Sequence, residues 1–148
     1  MITENMDQQL ADYFFKEASK AFAFVVNEYS FATPQFLVNE RINFAFAIFM
    51  GRNLALEFIL DERENDITCK VARVIGGKKT THYAVDENGV RVREALSSLL
   101  ERRGVRECLF TRVKGLDLRE QIKVTLNDFA QMLRKHGQEI LRDSPEIL

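Results

Sequence analysis

Apolar positions along this chain change their period twice. From about Thr3 to Asn27 they recur at three- and four-residue steps, through Met6, Leu10, Tyr13, Phe14, Ala18, Ala21, Phe24 and Val25, which predicts a long helix. Phe15, Phe22 and Val26 widen this stripe to roughly 220° on a wheel turning about 100° per residue. One sheet face needs about half of that arc. The first helix is therefore expected to meet two neighbours, a sheet plus either another helix or a partner chain. It should end near Tyr29 to Pro34, because the residue before a proline is pushed out of the helical region.

From Arg41 to Met50 the period falls to two. Ile42, Phe44, Phe46, Ile48 and Met50 point one way and Asn43, Ala45, Ala47 and Phe49 the other, a strong strand signal. Gly51-Arg52-Asn53 turns the chain, and Leu54 to Asp61 alternates again with Leu54, Leu56, Phe58 and Leu60 inward. The run Asp61 to Asp66 is a polar loop, Ile67 to Ile75 a third strand, Gly76-Gly77 a turn and Thr80 to Val85 a fourth strand. Such short links imply an antiparallel meander, since parallel neighbours need a long crossover.

The helical period then returns. Arg91 to Arg103 reads as a short helix carrying Ala95, Leu96, Leu99 and Leu100 on one side, with Gly104 as its stop. Glu107 to Val113 is a candidate fifth strand. In the last helix Asp117 and Glu120 form an acidic variant of the capping box, and Leu118, Ile122, Leu126, Phe129, Met132, Leu133 and Ile140 make one stripe that Gly137 ends or bends. The fold class expected is α+β over residues 1–148 as a single domain. An antiparallel meander of four to five strands is packed by a long N-terminal helix, a short middle helix and a long C-terminal helix.

Length and composition agree with one core. The chain has 148 residues, 46% of them hydrophobic and 29% charged, and carries a formal charge of −1 from 21 basic and 22 acidic residues. Non-specific nucleic-acid binders carry a clear positive excess, so nucleic acid is not an expected partner. The apolar runs fall far short of the roughly 18 residues that span a membrane, and no basic-then-apolar leader opens the sequence. A membrane is therefore not expected as a partner, and the cytoplasm is the expected location.

Candidate chemistry is sparse. Cys69 and Cys108 lack metal-type spacing and fall in strand-like segments, where a free thiol behaves as a small hydrophobe. No phosphate-loop, dinucleotide, nucleophile-elbow or zinc-protease motif occurs. In the loop from Asp61, Arg63 and Asp66 replace the ligand and glycine that a calcium loop requires. Cys108 and His82 would form a dyad only if tertiary folding joined them. No metal, cofactor or catalytic residue is expected.

Two polar residues fall inside apolar stripes, Glu17 on the first helix and His136 on the last. Structural readings are an ion pair or a snorkelling position for Glu17 and helix-end carbonyls for His136; the functional reading for both is the polar lining of a small-molecule pocket. Basic residues crowd the chain after residue 90, against the acidic loop Asp61, Glu62, Glu64 and Asp66. Such runs are solvated faces or halves of an electrostatic contact, and the acidic loop is the candidate partner-binding site. Nine of the twelve phenylalanines precede residue 50, as core or as an aromatic patch left for a partner.

Two stretches carry a resemblance. Phe24-Val25-Val26-Asn27-Glu28-Tyr29-Ser30-Phe31 closes the first helix before the meander, with Ser30 where glycine is expected, and Leu133 to Asp143 forms the tail of the last helix. In this layout the chain resembles small bacterial α+β proteins of the toxin-immunity type. It is also similar to type III secretion chaperones, which are commonly dimeric. The resemblance implies a non-enzymatic protein-binding domain, an immunity protein that neutralises a toxin by occlusion. The partner is then another protein, a toxin or a second copy in a homodimer. The alternatives are a small-molecule binder or enzyme with a cavity between helices and sheet, and a secretion-chaperone-like homodimer.

Overall fold

A computed structural model describes residues 7–80, 87–105 and 117–148. The first helical stretch is two helices, α1 (Gln8–Ala21) and α2 (Ala23–Asn27). Asp7 caps α1, its side chain accepting from the Gln9 N–H. The single long helix expected from the sequence is broken at Phe22, whose backbone leaves the helical region (φ −110°, ψ 18°) while its ring stacks on Phe58 at 3.9 Å. Phe22 is fully buried, so a core contact has overridden the continuous helix.

Four strands form an antiparallel meander in chain order: β1 (Gln35–Asn39), β2 (Phe44–Met50), β3 (Leu54–Asp61) and β4 (Asp66–Ile75). Gly76 and Gly77 turn the chain at φ +62° and +77°, a conformation that side-chain-bearing residues resist, and deliver β5 (Lys78–Lys79) back onto β4. β5 begins two residues before the expected fourth strand, and residues 81–86 lie outside the described part. β1 is a strand that alternation did not reveal.

The expected helix from Arg91 begins late. Arg93 to Ala95 instead form β6 (Arg93–Ala95), paired antiparallel with β4, and α3 (Leu96–Arg102) follows. Val92 and Glu94 are buried, so period-two burial there overrides helical propensity. Gly104 stops α3 at φ +96°. The candidate fifth strand at Glu107 to Val113 lies outside the described residues. The last helix matches closely: Asp117 caps α4 (Leu118–His136) by accepting from the Glu120 N–H at 2.9 Å, and Gly137 separates it from α5 (Gln138–Leu141).

The helices pack on one face of the sheet. Ala45, Ala47 and Phe49 of β2, with Leu54, Leu56, Phe58 and Leu60 of β3, meet Phe14, Leu126, Phe129 and Leu133 in a single core. α1 touches both α4 and β2, the two neighbours its wide stripe required. The architecture is α+β, as the periodicity implied.

Candidate functional site

The approach to β1 is fixed by the end of α2. Ser30 adopts φ +63°, the left-handed conformation for which glycine would be the ordinary choice. Phe31 is buried, and Ala32 donates to the Met50 carbonyl at 2.9 Å, which lays the chain beside β2. Pro34 precedes the strand, where its missing N–H costs no ladder bond.

β1 pairs with β2 in the register Phe36 with Ala47, Leu37 with Phe46 and Val38 with Ala45. Alanines opposite Phe36 and Val38 leave room on the helix side, and the Phe36 ring stacks on Phe15 of α1 at 4.6 Å. Leu37 points to the other face beside Phe46. Among the described residues β1 has no second strand neighbour, so its outer row of N–H and C=O groups is unpaired. Phe36, Leu37 and the adjacent Ile42 are 41%, 54% and 44% exposed. The strand holds no charged residue and none of the lysines or bulges that ordinarily protect an edge.

Beyond Asn39 the sheet ends in acid. Asp61 and Asp66 close the β3–β4 hairpin opposite one another. Of the four acidic residues expected at a partner contact, Asp61 accepts from the Arg63 and Glu64 N–H groups, and Glu62 accepts from the Asp7 N–H at the start of α1. Glu64 is exposed and Glu40 of the β1–β2 turn is exposed at the same end. The loop is therefore partly structural, and its outward charge lies at the end of the sheet where β1 terminates.

The other two candidates are separate. Glu17 lies 3.8 Å from Lys20 in a helical ion pair, next to Tyr13, whose phenol is raised above its ordinary value by burial first and then by the Glu17 charge. His136 is half-buried at the end of α4 and lines a cleft of about 490 Å³ with Arg103, Gln138, Glu139, Ile140 and Ile147; Glu17 is not among the lining residues. Arg103 and Glu139 form an ion pair within that cleft. Cys108 and His82 lie outside the described residues. Cys69 is buried in β4, where desolvation and then the Glu57 charge push its thiol well up, so it stays a small apolar group.

Two polar centres escaped the sequence. Glu57 sits on the sheet face opposite the helices, only 2% exposed, where alternation implies a solvated side chain. Its carboxylate pairs with Lys79 of β5 and Arg93 of β6, each at 2.9 Å. Asp143, at φ +60°, accepts from the backbone N–H groups of Arg52, Asn53 and Leu54 at 2.6, 3.0 and 2.7 Å. A Cβ on Gly51 would lie 2.7 Å from that carboxylate, so glycine is required there. For Glu57 no signal existed, because Arg93 falls in a segment read as helix and Lys79 ahead of the expected fourth strand; for Asp143 only the turn-forming Asp143-Ser144-Pro145 did.

Among the described residues no three His, Cys, Asp or Glu side chains converge as a metal site, and no helix is long and apolar enough to cross a membrane. No family model, curated protein or solved structure matches the chain. Its functional reading comes from its own surface.

Proposed function

We propose that this chain is a non-enzymatic protein-binding domain that takes its partner by strand addition at the β1 edge. The observation that carries this is an uncharged edge strand, unpaired among the described residues, with Phe36 and Leu37 exposed on its two faces. An added strand would satisfy the outer main-chain groups, and the alternating side chains would supply selectivity. An immunity protein occluding a toxin is one form of this reading. There the acidic end at Glu40 and Glu64 favours a basic partner and speeds docking. A secretion-chaperone-like homodimer is another.

A small-molecule reading would use the cleft at His136. Small-molecule sites are predominantly apolar with a few placed polar groups, whereas Arg103, Glu139 and Arg142 line this one. The strand edge therefore carries the proposal. Leu37→Lys tests it without disturbing the core: whatever protein the chain binds, association should fall with this substitution. Partner binding that Leu37→Lys leaves intact would move the docking surface elsewhere.

A further inference from the structure

We infer that the strand added at β1 belongs to a second copy of this chain, paired antiparallel about a two-fold axis through Leu37. This rests on the strand-edge reading above and names its partner. The strand is self-complementary about its centre. With the axis at Leu37, Leu37 meets its own copy, Phe36 meets the second copy's Val38, and Gln35 meets the second copy's Asn39. Apolar side chains then oppose apolar ones and amides oppose amides, with no charge in the ladder.

The faces agree in the same register. Opposed residues of an antiparallel pair share a sheet face, so Phe36 and Val38, both on the helix side, remain on the helix side across the junction. The Phe15–Phe36 stack of each copy is then extended by the other's Val38. Sliding the axis by half a residue pairs Leu37 with Val38 and Phe36 with Asn39, which joins opposite faces and sets a ring against an amide. Moving the axis a full residue, to Phe36 or Val38, keeps the faces but sets Leu37 against Gln35 or Asn39, so the axis at Leu37 alone matches apolar with apolar and amide with amide.

Charge favours a second copy of the chain over an acidic strand. The Asn39 end of the sheet carries Glu40, Asp61, Glu62, Glu64 and Asp66 against Arg41 and Arg63. The Gln35 end lies beside the β2–β3 turn, which presents the exposed Arg52, while the Asp143 carboxylate there is taken up by backbone N–H groups. Antiparallel pairing sets the acidic end of each copy on the same side as the Arg52 turn of the other, and a net charge of −1 leaves little long-range repulsion. A five-residue ladder is short, so a monomer–dimer equilibrium, rather than a permanent dimer, is the expected behaviour.

Sedimentation equilibrium of the full chain over a concentration series tests this. The wild-type chain should dimerise. Leu37→Lys and Leu37→Glu should each weaken dimerisation roughly tenfold, because like charges then face one another across the axis. An equimolar mixture of the two should recover a dimer, since unlike charges now face each other. Ile75→Lys, at an exposed apolar residue at the far end of β4, should leave the equilibrium unchanged. Circular dichroism checks that each variant is folded. A wild-type chain monomeric throughout overturns the second-copy inference and leaves the edge for a different protein. A dimer untouched by either Leu37 variant assigns association to another surface and overturns the strand-edge reading as well. Failure of the mixture to recover overturns the axis.

Discussion

Asp143 closes the turn before β3 from about ninety residues further along the chain, one carboxylate holding three backbone N–H groups. Charge-assisted bonds of this kind are the stronger sort, and their loss leaves donors that the turn cannot satisfy internally. Asp143→Ala should lower unfolding free energy by about 2 kcal/mol in urea titration, with Asp143→Asn intermediate. Asp128 shows the opposite case. Burial raises its carboxyl above the ordinary value of 3.8, so the folded chain favours the protonated form. That preference is fully present below 3.8 and is lost as pH rises through the raised value, above which ionised Asp128 costs stability. Asp128→Asn should therefore melt above the wild-type chain at neutral pH, with the gap closing in acid below 3.8. At this scale little was legible: Glu17 and His136 stand out by breaking a stripe, whereas Asp143 breaks no pattern and acts only through tertiary contact.

Elements were legible where one period ran unopposed. β3 begins and ends where alternation places it, Leu54–Asp61, and α4 begins after its Asp117 cap and stops at Gly137. The period failed where packing contradicted it. Phe22 fits the helical stripe, yet stacking on Phe58 draws it out and divides the helix. The segment Gln35–Asn39 shows no alternation because both of its faces carry apolar side chains at an edge. The same double-sidedness hid Glu57, which anchors β5 and β6 to the centre of the sheet through Lys79 and Arg93. Removing that carboxylate strands two cations in a buried site. Glu57→Ala should cost about 3 kcal/mol or more, measured by denaturant unfolding, with loss of β5 and β6 amide protection first.

The whole molecule covers one sheet face with helices and leaves β1 as a free edge among the described residues. α+β class and meander order could be read from the sequence, because they follow from two periods and short links. The docking edge could not, because exposure of Phe36 and Leu37 depends on which strand ends the sheet. Hydrogen exchange of the β1 amides as a function of protein concentration tests that edge most directly. In dilute solution, amides pointing away from β2 should exchange fast while those bonded to β2 stay protected, and protection of the outward set should rise as concentration rises. Outward amides protected even at high dilution, or fast at every concentration, would contradict a free edge that receives a second copy.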